Sequence, residues 1–254
     1  MAKKEFNPQK EITHIINWIK EYFVENGPDS PAIIGMSGGK DSTIAAALLV
    51  RALGPERIIG VIMPNGKQDD LDDAKDICDI LGIRYQHMNI KNIIDDMYKI
   101  LEVFYTVNDS ILTNTPARIR MSILYAIAAA THGRVVNTCN KSEDYIGYST
   151  KYGDLAGDFS LFKNYTVREV LAMGDTLKEI PYGFVHKIPS DGMCGKTDEE
   201  NLGFSYKVLD DYLLDGIVPE YSVYKNIQER HKRNEHKNCI KLPAPNRYCY
   251  DLAD

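Results

Sequence analysis

The chain has 254 residues, 44% hydrophobic and 26% charged, with 30 Lys and Arg against 36 Asp and Glu for a formal charge of −6. That length allows one large α/β domain or two small ones, the composition is globular, and the acidic balance argues against general nucleic-acid binding. Apolar stretches such as residues 123–130 fall far short of the roughly 20 residues of a membrane span, and the N-terminus MAKKEFNPQK lacks the apolar core of a secretory signal.

In chain order, Ile12, Ile15, Ile16 and Ile19 form one face of an N-terminal amphipathic helix, and Trp18 on that helix reads as core or dimer packing. Residues 31–37 (PAIIGMS) predict a buried strand. Residues 40–53, apolar on most sides, predict a helix laid on a sheet. Residues 57–64 predict a second strand, 68–81 a helix with aspartates on its wet face, and 83–90 a third strand. A helix over 118–131 and a strand over 134–140 follow. Strands alternating with helices predict an α/β fold, a doubly wound parallel sheet flanked by helices in a single domain. Residues 147–162, rich in Gly, Asp and Tyr, have no clear period, and a loop that long is usually functional. Helices are expected over 167–180, 198–214 and 219–236. The five cysteines, Cys78, Cys139, Cys194, Cys239 and Cys249, form no CxxC pair, so reduced thiols in a cytoplasmic protein are expected.

The strongest chemical signal is Gly35-Met36-Ser37-Gly38-Gly39-Lys40-Asp41-Ser42, between a buried strand and a helix. Small residues let backbone approach a ligand, and successive N–H groups at a helix start favour an anion. Ser37 and Ser42 add hydroxyls and Lys40 a cation, which reads as a phosphate cradle. A Walker A loop is excluded, because Asp41 follows Lys40 and Ile34 occupies the place of its first glycine. Asp41, a carboxylate, stands directly beside this cradle. A second block, Thr138-Cys139-Asn140-Lys141-Ser142-Glu143, then residues 147–158, gathers hydroxyls, carboxylates and lysines just past a strand's C-terminal end, where open α/β sheets bind ligands. The six Lys and Arg against two Glu over 225–241 read as a solvated helix face.

SGGKDS resembles the pyrophosphate loop of the N-type ATP pyrophosphatases, which split ATP into AMP and pyrophosphate while adenylating an acceptor. The run NKSE followed by GYSTKYGD resembles the NAD synthetases of that group. Similar again are Ala117-Arg118-Ile119-Arg120, Pro189-Ser190-Asp191-Gly192 with Lys196-Thr197-Asp198-Glu199, and His236-Lys237. The resemblance implies an adenine nucleotide alpha hydrolase-like fold, a homodimer, and ATP-dependent amidation of nicotinate adenine dinucleotide (deamido-NAD). With no room for a glutaminase domain, the nitrogen source implied is ammonia. It further implies that Gly35 to Ser42, Thr138 and Ser190 bind ATP, and that Asp41 and Glu143 bind Mg²⁺. Arg118, Tyr148, Lys151, Asp158, His236 and Lys237 would bind the dinucleotide. Asp154 would take ammonium and its proton, with Asp41 and Lys151 completing the catalytic set. Lys163 stands near the place of a lysine that touches ATP in the family, in an apparently shorter stretch, and Lys196 replaces the commoner Gln. Rival readings are a tRNA-modifying enzyme of the same group, disfavoured by the acidic balance and scattered cysteines, and an ATP sensor, which needs no metal site.

Overall fold

Alternation along the strands decides which helix packs where. The computed structural model describes residues 6–67, 71–187, 197–237 and 244–245. Its strands are β1 (Ala32–Gly35), β2 (Ile58–Ile62), β3 (Arg84–His87), β4 (Arg134–Asn137) and β5 (Phe159–Ser160). All pair in parallel, in the order β3-β2-β1-β4-β5. The helices are α1 (Pro8–Asn26), α2 (Lys40–Leu53), α3 (Leu71–Leu81), α4 (Lys91–Glu102), α5 (Asp109–Thr131), α6 (Lys141–Ile146), α7 (Val167–Gly174), α8 (Tyr182–Val185), α9 (Asp198–Leu202), α10 (Tyr206–Asp215) and α11 (Tyr221–Asn234).

Successive strand side chains point to opposite faces. Ala32, Ile34, Ile58, Ile62 and Val136 therefore enter one core, shared with α1, α2, α3 and α7. Ile33, Ile59, Val61 and Val135 enter a second, shared with Ile94 of α4 and Met121, Leu124 and Ile127 of α5. Covering both faces is why these strands read as unbroken apolar runs. A third cluster, built on Ile146, Val167, Leu202, Leu209 and Ile227, fastens the C-terminal helices to α6 and α7. The chain winds outward from β1 to β3 and returns past β1 to β4. Its direction reverses between β1 and β4, and such a switch point opens a crevice at the strands' C-terminal ends. The glycine-rich turn and the Thr138–Glu143 block both lie there.

Several helices differ from their sequence-based limits. The helix expected from residue 118 starts at Asp109, capped by the Asn108 side chain, which accepts from Ile111 N at 3.1 Å. Pro116 sits inside it. Proline has no N–H for the carbonyl four residues back, and that carbonyl, Leu112 O, accepts from Tyr98 Oη instead, at 3.4 Å. The helix α4 was not anticipated. The expected 198–214 helix is two, separated where Gly203 turns left-handed and Ser205 caps α10. The helix expected over 167–180 ends at Gly174. Trp18 packs on the first core, stacked on Tyr22 at 5.4 Å between centroids.

Gly147 ends α6 in the left-handed region, with φ +63°, and a Cβ there would lie 2.1 Å from Asn234 Cβ of α11. Gly147→Ala is expected to destabilise the fold by at least about 2 kcal/mol, from left-handed backbone strain and overlap together. A urea midpoint unchanged from wild type would mean that α11 does not seat on α6 in this way.

Candidate active site

The turn from β1 into α2 is built to leave donors open. Met36 N still belongs to the sheet, donating to Val61 O at 2.9 Å. Gly38 then takes φ +75°, and Gly39 stands at the helix N-cap with no side chain to satisfy the first-turn amides. The Ser37 hydroxyl accepts from Gly39 N at 3.2 Å and lies 3.1 Å from the Ser42 hydroxyl, which fixes the turn from within. An anion is the natural acceptor for amides left in that position.

Charge is concentrated beside them. Lys40 is 5% exposed, and its Nζ donates to Asp41 Oδ2 at 2.7 Å. Burial pulls the Lys40 ammonium down, yet Asp41, Glu143 and Asp198 raise it above its ordinary range. Asn140 ties the two blocks together: its side chain caps α6, its backbone N donates to Glu143 Oε2 at 3.1 Å, and Nδ2 reaches Asp41 Oδ1 at 3.5 Å. Burial and then the charge of Asp41 push the Glu143 carboxyl well up, against the opposing pull of Lys40. A buried carboxyl raised by a neighbouring carboxylate in this way suits a hard divalent cation completed by phosphate oxygens. Among the described residues no third His, Cys, Asp or Glu joins them in a metal-binding group.

Next to the turn opens a cavity of about 550 Å³. Val61 to Pro64, Leu71, Ala74, Met121 and Leu124 form an apolar wall, while Ser37, Arg120, Thr138, Ser149, Thr150, Asp154 and Lys237 form a polar one. An apolar wall facing a few convergent polar groups is the usual form of a small-molecule site. It has the character to take an aromatic base on one side and phosphate and carboxylate on the other.

Asp154 is held by its backbone and by its side chain. Its carbonyl accepts from Asn137 Nδ2 at 2.7 Å and from Cys139 Sγ at 3.2 Å, and its Oδ1 accepts from Thr150 N at 2.9 Å. Enclosure in the cavity raises its carboxyl, against the Thr150 amide and Lys237, which lower it. Asn137, buried, also donates to Ala156 O and accepts from Cys139 N and Ser160 Oγ, each at 3.1 Å. This one side chain rivets the 154–157 loop to β4, and it needs Gly157, where a Cβ would come within 2.8 Å of Asn137 Cβ.

The structure brings Gly35, Met36, Ser37, Thr138, Tyr148, Asp154 and Lys237 to one cavity, with Lys40, Asp41, Ser42 and Glu143 around the adjoining turn. Lys237 Nζ donates to Gly147 O and Ser149 O at 2.7 and 2.8 Å. Lys151 Nζ donates to His236 O at 2.7 Å, and Arg118 Nε to Lys151 O at 3.2 Å. Lys237 lines the cavity, whereas Lys151, Arg118 and the exposed His236 are not part of its wall. Asp158 is brought elsewhere: its Oδ2 accepts from Val135 N at 2.7 Å, toward the other end of β4 from Thr138. Lys163 acts on Asp144, lowering a carboxyl that burial lifts to about 7. Ser190 and Lys196 lie outside the described residues. Sequence reasoning missed the apolar wall, Asn137 and the position of Arg120. A polar residue ending the apolar strand RVVN was the available signal for Asn137.

The sequence family described as NAD synthase matches residues 11–243. The NH(3)-dependent NAD(+) synthetase of Pyrococcus furiosus is 37% identical over 253 residues, covering 94% of this chain and 95% of that one. That of Alkaliphilus metalliredigens is 33% identical over 93% and 98%. Among solved structures, NMN synthetase from Francisella tularensis is 32% identical with TM-score 0.85, covering 94% and 98%. The NH3-dependent NAD synthetase of Campylobacter jejuni is 28% identical with TM-score 0.74, covering 93% and 98%.

Behind Glu143, Ser142 Oγ donates to Asp210 Oδ1 at 2.5 Å and accepts from Val167 N at 3.1 Å, while Arg168 N donates to Asp210 Oδ2 at 2.7 Å. Asp210 thus joins α10 to the starts of α6 and α7. Burial pushes its carboxyl up to about 6, against these donors, which lower it. The folded chain holds this proton more tightly than the unfolded one. Its contribution to stability is therefore full below about pH 4 and lost as pH rises through about 6. The stability difference between wild type and Asp210→Asn should shift by on the order of 2–3 kcal/mol against wild type across that window. Urea titrations at a series of pH values test it; a difference flat with pH would contradict the buried placement.

Proposed function

The chain belongs to the NAD synthase family, and on that premise we propose that it amidates deamido-NAD with ammonia, converting ATP to AMP and pyrophosphate and releasing NAD. The observation that carries this reading is the junction of the glycine turn with the Asp41–Glu143 pair at the mouth of a half-apolar cavity. Gly35 to Ser42 hold the triphosphate, and Thr138 and Ser190 bind ATP with them. Asp41 and Glu143 would hold Mg²⁺, which would neutralise phosphate charge. Arg118, Tyr148, Lys151, His236 and Lys237 receive the dinucleotide, the cations its phosphates and Tyr148 the pyridine ring, while Asp158 stays on Val135 N.

A pyridine carboxylate is a poor electrophile. Its oxygen attacks the α-phosphorus and pyrophosphate leaves, so the carboxyl carbon gains AMP as a leaving group. Ammonia then attacks that carbon, and the carbon–oxygen bond to AMP breaks. The chain's residues contribute position and charge rather than a nucleophile. First-turn amides of α2 and Lys40 stabilise the departing pyrophosphate. Asp154, whose carboxyl is raised, binds ammonium and takes the proton the nitrogen must lose. Lys151 steadies the loop that carries it.

Homodimer formation is supported by the outer face of α4 and the turn after it, where Ile100, Val103, Phe104 and Tyr105 are each at least 66% exposed, an apolar surface of the kind that a second copy covers. A cytoplasmic setting is supported by free, buried Cys78 and Cys139. Among the described residues no helix is long and apolar enough to cross a membrane. A second substrate has one observation in its favour: the Francisella tularensis neighbour, at TM-score 0.85, is named for NMN synthesis. Nicotinate mononucleotide carries the same pyridine carboxylate without the adenylate half.

The deciding assay supplies ATP, Mg²⁺ and an ammonium salt with deamido-NAD or with nicotinate mononucleotide, and follows AMP and the amide. Turnover of deamido-NAD is expected to dominate; turnover of the mononucleotide alone would replace the substrate, and ATP binding without turnover would refute the enzyme. Glutamine in place of ammonium should give negligible rates. Asp41→Ala should keep the fold but lower kcat by about 100-fold or more, through loss of a metal carboxylate. Near-wild-type rates in that variant would contradict the metal assignment.

A further inference from the structure

Arg120 enters the cavity from α5 with only part of its donor set used. Its Nε donates to Met63 O, at the end of β2, at 3.0 Å. The two terminal amino groups make no hydrogen bond among the described residues, and no carboxylate of those residues lies within 4.0 Å of the guanidinium. Yet the group is half-buried in the cavity wall: burial lowers it, with Asp154 the opposing charge. Neighbouring cations differ. Lys40 is paired with Asp41, while Lys237 and Lys151 donate to backbone carbonyls. A desolvated cation with no anion in contact is costly, and the same group becomes favourable when an anion arrives. A guanidinium anchored through Nε presents its two amino groups as a planar fork, which matches the paired oxygens of a carboxylate or phosphate.

The anion follows from the proposed reaction, on which this inference rests. Asp154 lines the same cavity and, as the group that takes the proton from ammonia, must face the carboxyl carbon. Arg120 faces the same volume and feels the charge of Asp154. We propose that Arg120 binds the anionic oxygens at the reacting centre, the pyridine carboxylate as it enters and the α-phosphate to which that carboxylate becomes joined. The consequence is discrimination between acid and amide. Deamido-NAD brings a carboxylate to the fork, whereas NAD brings a neutral carboxamide that the fork holds less well, which favours product release.

The test uses Arg120→Gln and Arg120→Lys in the full chain, with calorimetric affinities for ATP, deamido-NAD and NAD measured separately, alongside turnover. Arg120→Gln should lower kcat/KM about 100-fold, and Arg120→Lys should recover little, because it lacks the fork. Affinity for deamido-NAD should fall at least about tenfold while NAD binding stays within about twofold. A fall confined to ATP would assign the fork to the α-phosphate alone, and added guanidinium ion should partly restore Arg120→Gln in either case. Wild-type affinities and rates in both variants would overturn the proposal. So would equal weakening of all three ligands with a lowered melting temperature, the sign of a merely structural arginine. The binding measurements do not need turnover. Wild-type protein that makes no NAD therefore refutes the proposed reaction, and selective binding still reports on Arg120.

Discussion

Like charges have to be brought together here, and the fold is arranged to make that tolerable. Asp41 and Glu143 come from the first turns of α2 and α6, two helices that follow neighbouring strands and meet only because the sheet order reverses between β1 and β4. Lys40 is buried between them as a first counter-charge, and Asn140 fixes their spacing. Helix N-termini favour anions, so both carboxylates sit where the backbone already leans positive. A divalent cation held by Asp41 and Glu143 would supply the remaining counter-charge. Without that arrangement, neither the turn nor the cavity beside it has a chemical purpose.

Rigidity behind this arrangement comes from buried polar connections. Asn137 and Cys139 hold the loop bearing Asp154, and Asp210 with Ser142 holds the start of α6. In a low-dielectric interior such bonds are worth most when every member is satisfied. They hold Asp154 in the cavity wall and Glu143 beside the adjoining turn.

Much of this was legible in the amino acids. Apolar runs of four or five residues between helical segments dictated a parallel sheet, since only strands covered on both faces read that way. The glycine turn was legible because its small residues, hydroxyls and carboxylate have few alternative uses together. What stayed hidden depends on residues far apart in the chain. The helix over 118–131 extends back through Pro116 to Asp109, because Tyr98, on α4, donates to the carbonyl that the proline leaves free. Asp158 sits in a block of binding residues but spends its carboxylate on Val135 N. The apolar wall mixes β2, α3 and α5, and no local pattern marks such residues as different from ordinary core.

The most direct measurement is a crystal structure of the protein soaked with a non-hydrolysable ATP analogue and Mg²⁺. The account predicts the β- and γ-phosphates on the backbone amides of residues 37–42, a cation between them and the carboxylates of Asp41 and Glu143, and the adenine against the apolar wall near Met63. A triphosphate bound elsewhere, with the turn between β1 and α2 empty, would contradict it.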